Sequence, residues 1–245
     1  MRAGFAAEAR PSRAHRGVKS IGRISVIAID GPVAAGKTVV ARSLAHRLGY
    51  KYLDTGVMYR AITWLALRQG ISVDDESALG ALAEAHPVCL EGKSSDQVRV
   101  GGHLVGAELR DSQVTDRVSL VSRVSAVRSA LVRQQRIIGA QGDIIMVGRD
   151  IGTVVLPSAD LKVFLNASPE VRARRRWQEM QDQGQSVNLQ QVLRETVARD
   201  ELDTLRADSP LVPAADALRV DTDRISAEQV VEDLLAHIYR LSQAK

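Results

Sequence analysis

Ile24-Ser25-Val26-Ile27-Ala28-Ile29-Asp30-Gly31-Pro32-Val33-Ala34-Ala35-Gly36-Lys37-Thr38 is the stretch on which the fold turns. Its apolar opening, Ile24 to Ile29, is typical of a strand buried on both faces. Gly31 to Thr38 then match G-x-x-x-x-G-K-[ST], and Val40, Leu44 and Leu48 follow four residues apart, as on one face of a helix. Strand, glycine loop and helix in that order make a cradle for phosphate. The loop N–H groups and the helix N-terminus supply partial positive charge. Lys37 adds a full charge at the β/γ-phosphates, and the Thr38 hydroxyl is available to Mg²⁺. Gly31, Pro32, Val33, Ala34, Ala35, Gly36, Lys37 and Thr38 are therefore the expected triphosphate-binding residues.

Outward from this stretch, strands alternate with helices. Buried-type strands fit 144–147, 161–165 and 217–220, and helical patterns run near 57–69, 76–85, 111–140, 168–182, 188–206 and 226–243. Ser226 and Gln229 have capping-box spacing, ahead of an apolar stripe of Val230, Val231, Leu234, Leu235, Ile238 and Leu241. Between 86 and 106, polar alternation and the Gly101-Gly102 pair suggest a small antiparallel excursion outside the main sheet. The alternation predicts an α/β fold of the P-loop NTPase type, with a parallel sheet covered by helices on both faces.

The 245 residues are 45% hydrophobic and 25% charged, which suits one globular domain, and no run of 18 apolar residues suggests a membrane span. The single cysteine, Cys89, is too few for a zinc site or an internal disulfide and points to a reducing, cytoplasmic setting. Of the net charge of +4, residues 1–23 carry six basic groups against Glu8 alone, so the remainder is near neutral. With aromatics at 3%, base-stacking platforms are scarce and a nucleic-acid-binding role is disfavoured. Residues 1–22 lack apolar periodicity and an apolar signal core. They are read as a disordered basic extension, in preference to an organellar transit segment, ahead of a domain over 23–245.

Four further constellations bear on what the triphosphate is for. Asp54-Thr55-Gly56-Val57-Met58-Tyr59-Arg60 leads into a helix, and Gly148-Arg149-Asp150-Ile151-Gly152-Thr153 follows a strand at the carboxyl edge, where α/β sheets bind ligands. Arg199, Asp203 and Arg206 share one helix face, while Arg172, Arg175 and Arg176 cluster on a helix opened by Ser168 and Pro169. Singly, each could be a solvated surface, where an ion pair contributes under about 1 kcal/mol. Together behind a phosphate loop they match phosphoryl transfer, which needs several fixed guanidinium groups around two substrates.

These motifs, with Ile27-Ala28-Ile29-Asp30-Gly31-Pro32 and Ser209-Pro210-Leu211, closely resemble bacterial cytidylate kinases over about residues 24–243. The resemblance implies a nucleoside monophosphate kinase: a five-stranded parallel core, an enlarged monophosphate-binding lobe over about 55–140 and a short lid over about 170–188. It implies ATP with Mg²⁺ as donor, CMP and dCMP as acceptors, and a monomer without nucleic-acid or membrane partners. Arg60, Arg149 and Arg206 would hold the acceptor phosphate, with Thr55 and Tyr59 beside them. Ser119, Arg128 and Asp150 would read cytosine, and Arg199 and Asp203 would contact the sugar. Arg172, Arg175 and Arg176 would approach the ATP phosphates. Lys37, Arg149, Arg175 and Arg206 would be the catalytic residues.

Residue chemistry agrees in kind. The 4-amino group of cytosine calls for a carboxylate, and its N3 and O2 call for hydroxyl or guanidinium donors. The sequence departs from the family pattern at three places: Val33-Ala34 where small residues with glycine are common, Val57 for alanine, and Val147 where relatives often carry an acid. Ala34 restricts a loop backbone that glycine would free. Loss of the acid at 147 would loosen Arg149 or a metal-bound water. Other readings are a kinase for a different monophosphate or small metabolite, an inactive paralogue, or a nucleotide-driven switch. Against the last, Ile144–Val147 runs into Gly-Arg-Asp without a terminal acid.

Overall fold

A computed structural model describes residues 24–92, 96–206 and 208–243. The reading of residues 1–22 as a disordered extension lies outside the described residues. The main sheet is fully parallel, with strands β1 (Val26–Asp30), β2 (Lys51–Asp54), β6 (Ile144–Gly148), β7 (Leu161–Asn166) and β8 (Leu218–Asp221) in the order β2-β6-β1-β7-β8. A three-stranded antiparallel sheet, β3 (Cys89–Leu90), β4 (Val98–Val100) and β5 (His103–Val105), occupies the expected excursion. Gly101 and Gly102, with φ of 55° and 81°, supply the left-handed pair that a two-residue hairpin between β4 and β5 requires.

Strand alternation divides the core in two. Ile27, Ile29, Ile145, Val147, Val163 and Leu165 pack toward α1 (Lys37–Leu48) and α8 (Ala227–Gln243). Ala28, Leu53, Ile144 and Met146 face the other way, against α2 (Thr55–Arg68), α3 (Glu76–Ala85), α5 (Ser125–Gly139) and the small sheet. Strands that bury both faces read as unbroken apolar runs, as β1 and β6 do. β2 was not visible as a strand in the sequence, because Lys51-Tyr52-Leu53-Asp54 is four residues long and polar at both ends.

The helical pattern over 111–140 divides into α4 (Ser112–Val121) and α5, separated at Ser122–Val124. Val124 is extended (φ −68°, ψ 113°), and it is buried together with the helical Val118, Val121 and Val127 on either side. The break lets two apolar faces reach one core, and Arg128 Nη1 donates to the Ser122 carbonyl at 3.3 Å, in place of the lost helical bond. The capping box before α8 is half formed. Ser226 Oγ accepts from Gln229 N at 3.1 Å, while the Gln229 side chain turns to Asp233 instead.

α6 (Pro169–Asp182) and α7 (Leu189–Thr204) pack on each other beyond the carboxyl ends of the strands. Among the described residues no helix is long and apolar enough to cross a membrane.

Candidate active site

Every strand of the parallel sheet delivers its last residue to the same edge, and the phosphate loop lies there between two cavities. The loop's shape is set locally. Gly31 has φ 148°, and a Cβ there would overlap the Leu165 carbonyl, so only glycine fits. Gly36 (φ 88°) opens α1. Ala34 also stands at positive φ, 58°, where a side chain costs about 1–2 kcal/mol. The loop thus keeps its form despite the missing glycine, at some strain. Lys37 is buried and donates from Nζ to the Pro32 carbonyl at 2.6 Å. Burial, then the nearby Arg149 charge, holds its ammonium well below the ordinary lysine range.

The larger cavity, about 890 Å³, is lined by loop residues Val33 to Val40, by α6 through Arg174, Arg175 and Arg176, and by Thr222, Asp223, Ile225, Ser226 and Ala227. Arg175 is anchored there, donating to Thr222 Oγ1 at 3.0 Å and to its carbonyl at 2.5 Å. Arg172 is elsewhere. It is 3% exposed, bonds Asp200 through both terminal nitrogens (3.0 and 2.5 Å), and donates to the Ala167 and Val33 carbonyls (2.8 and 3.3 Å). It braces the phosphate loop against α6 and α7, and Arg174 takes the lining place the sequence reading gave it. Gly31 and Pro32 shape the loop from beneath and line neither cavity.

The smaller cavity, about 270 Å³, lies across Lys37 from the first. Of the expected acceptor residues, Thr55, Tyr59, Arg60, Arg128, Arg149, Asp150, Arg199, Asp203 and Arg206 all line it. Ser119 does not; its neighbour around the helix break, Ser122, does. Arg128 and Asp150 form a buried pair at 2.5 Å, with the guanidinium over the Tyr59 ring at 5.7 Å. Arg149 Nε donates to Asp203 at 2.8 Å, so Asp203, rather than any group at Val147, holds Arg149. Val147 is itself packed among Ile29, Ala35 and Val40 beneath the loop. Arg60 bonds the Leu109 carbonyl (3.0 Å) and Thr115 Oγ1 (2.9 Å), and Thr55 Oγ1 donates to the Val147 carbonyl at 2.9 Å.

Seven basic side chains line this cavity against three acidic ones. Burial, then the like charge of Arg149, pulls Arg199 down to about 10. Burial also lowers Arg60 and Arg206. Burial pushes Asp203 up, but Arg149, Arg206 and Arg199 together outweigh it and hold the carboxylate below its usual range. Arg199 Nε and Arg206 Nη2 are buried without a hydrogen-bond partner among the described residues. Such donors cost about 1–3 kcal/mol each when unsatisfied, and an anion in the cavity would relieve that cost.

Two further acids, at the ends of β1 and β2, shape the site. Asp54 ends β2, caps α2 by accepting from Gly56 N at 3.0 Å and lines the smaller cavity. Asp30 ends β1 and accepts two backbone bonds from the turn after β6. The signal, an acid closing both β1 and β2, is present in the sequence.

The cytidylate kinase family model matches residues 27–240. A cytidylate kinase of Pelotomaculum thermopropionicum is 47% identical over 214 residues, covering 86% of this chain and 95% of the relative. One from Listeria monocytogenes is 45% identical over 210 residues, covering 86% and 94%. Among solved structures, an uncharacterized protein from Eubacterium ventriosum aligns with a TM-score of 0.50 at 11% identity, over 89% of this chain and 99% of that one, a likeness of fold.

Proposed function

The chain belongs to the cytidylate kinase family, and we propose that its two cavities carry direct phosphoryl transfer from ATP, in the larger, to CMP or dCMP, in the smaller. One observation carries this reading: Lys37, Thr38 and Arg176 line both cavities, so a γ-phosphoryl group crossing between them stays within reach of the same charges. The attacking oxygen of CMP is already anionic, so no general base is needed. Catalysis is alignment and charge neutralisation. Lys37 exchanges the Pro32 carbonyl for phosphate oxygens, and Arg60, Arg149 and Arg206 hold the acceptor phosphate. Arg175 and Arg176 approach the donor phosphates. Arg128 and Asp150 read the cytosine edge, with Ser122 rather than Ser119 on the cavity wall, and Arg199 and Asp203 reach the sugar.

The residues present fit a magnesium ion carried in by ATP. Thr38 is exposed at the head of α1, its side chain is hydrogen-bonded with Tyr52, and Asp54 lies 3.5 Å from the Tyr52 hydroxyl. A hydroxyl, one carboxylate and substrate phosphates are the oxygen set that Mg²⁺ accepts. When bound, the ion would offset charge on the phosphates. Residues 55–140 act in this reading as the acceptor lobe and 170–188 as a lid whose closure excludes water, the competing acceptor. The enzyme works as a cytoplasmic monomer.

The test is ADP formation from Mg-ATP with CMP, dCMP, UMP, AMP or no acceptor, side by side. Turnover with CMP and dCMP well above the others is the expected result. Acceptor-independent ADP, or preference for another monophosphate, would overturn the assignment.

A further inference from the structure

The loop that carries Arg149 and Asp150 is held by a residue far away in sequence. The chain leaves β6 at Gly148 and, after these two side chains, makes a single π-helical turn over Ile151–Val155. Its wide bonds run from Val155 N to the Asp150 carbonyl and from Leu156 N to the Ile151 carbonyl. The first N–H groups of any helical turn have no partner within it. An aspartate just before the turn commonly accepts them itself, as an N-cap. Asp150 stands at that position, yet its side chain makes no cap bond and points instead to Arg128 at 2.5 Å.

Asp30 takes the cap in its place. Its Oδ1 accepts from Ile151 N at 2.8 Å and its Oδ2 from Gly152 N at 2.7 Å, and the residue is 5% exposed. At the other end of the turn, Arg136 donates to the Val154 and Val155 carbonyls at 2.7 and 3.1 Å. The turn is thereby fixed at both ends by side chains from other elements. Close approach is part of the design: a Cβ on Gly152 would lie 3.4 Å from Asp30 Oδ2 and 3.2 Å from Lys162 Cδ.

We propose that Asp30 is a positioning residue for the acceptor site: by capping the turn in place of Asp150, it frees the Asp150 carboxylate and fixes Arg149 for the acceptor nucleotide. This rests on the cytidylate kinase reading. Asp30 lines neither cavity, so it acts through the turn and not by touching substrate. Burial lifts its pKa to about 6 even against the two amide bonds, so the charged cap is held at a cost in stability at neutral pH.

The experiment compares wild type with Asp30→Asn, which keeps the shape but sets an NH₂ donor against one of the two N–H groups. The readouts are KM for CMP, KM for ATP, kcat, CMP:UMP preference and thermal unfolding of each protein. A misplaced Arg149–Asp150 pair raises KM for CMP about tenfold or more and weakens CMP:UMP preference, with KM for ATP within about twofold. Equal loss toward both substrates in step with a lowered Tm, or an unchanged KM for CMP, would overturn the proposal. Should Asp30→Asn not fold, Asp30→Ser decides, since it is smaller, sets no donor against the turn, and its hydroxyl can accept at most one of the two amide bonds. A raised KM for CMP at constant KM for ATP supports the positioning role, and no change in either removes it. Wild type inactive with CMP would instead overturn the assigned reaction, a result distinct from all of these.

Discussion

At residue 34 the phosphate loop carries a side chain in a backbone region that suits glycine. Ala34 stands at φ 58°, and its loop is otherwise built on glycines at 31 and 36. Replacing it with glycine removes about 1–2 kcal/mol of steric strain, against a smaller entropic cost from the more flexible unfolded chain. Ala34→Gly is therefore expected to stabilise the protein by about 1 kcal/mol, which thermal unfolding would register as a Tm rise of about 2–4 °C. An unchanged or lower Tm would show that the loop relaxes around the methyl group. Gly31 behaves oppositely. Gly31→Ala forces a methyl group onto the Leu165 carbonyl, and a loss of at least about 3 kcal/mol is expected, read by denaturant unfolding.

At the scale of elements, α6 and α7 are joined to the phosphate loop by one side chain. Arg172 satisfies Asp200 and two main-chain carbonyls while almost fully buried. Truncation leaves the Asp200 carboxylate and both carbonyls without their donor, and removing one partner of such a pair costs about 3–5 kcal/mol. Arg172→Ala should therefore lower Tm markedly and raise KM for ATP. Were Arg172 a phosphate ligand only, kcat and KM for ATP would change while Tm held. The same scale explains the helix break at Ser122–Val124. Helical spacing continues through it in sequence, and burial of Val118, Val121, Val124 and Val127 against one core decides otherwise. The break also brings Ser122 rather than Ser119 to the cavity wall.

For the whole molecule, the site stores unfavourable charge. Asp30 is raised to about 6 from 3.8, so the folded state binds the proton more tightly than the unfolded one between those values. The stability this contributes is complete below about pH 4 and is lost as pH rises through about 6, on the order of 2–3 kcal/mol. Asp30→Asn should flatten that arm when unfolding free energies of variant and wild type are subtracted across pH 4 to 7. A constant difference would show that Asp30 titrates normally in the folded protein. The crowded arginines are a second store of unfavourable charge, and anions should relieve them. CMP at about 100 times its Kd should add about 2.7 kcal/mol, a Tm rise of about 5–10 °C. Cytidine, which keeps the base and lacks the phosphate, should add little. Deletion of residues 1–22 is expected to leave kcat and both KM values within about twofold, because the described residues already supply the phosphate loop and the arginines of both cavities.

What the amino-acid sequence determined by itself is the part of the molecule built from contiguous residues. The strand–loop–helix cradle, the glycines at 31 and 36 and the hairpin at Gly101-Gly102 depend on main-chain conformation and neighbours a few residues away, so their reading needs no third dimension. The charged motifs near the cleft were legible for the same reason. Only tertiary structure decided where long side chains spend their donors. Arg172 and Arg175 lie on one helix, one turn apart, yet the first braces the loop and the second faces the larger cavity. Asp150 and Asp30 are 120 positions apart, yet one performs the capping that frees the other. A buried donor or acceptor pairs with whatever group folding brings within about 3 Å, and that distance is set by packing rather than by spacing along the chain.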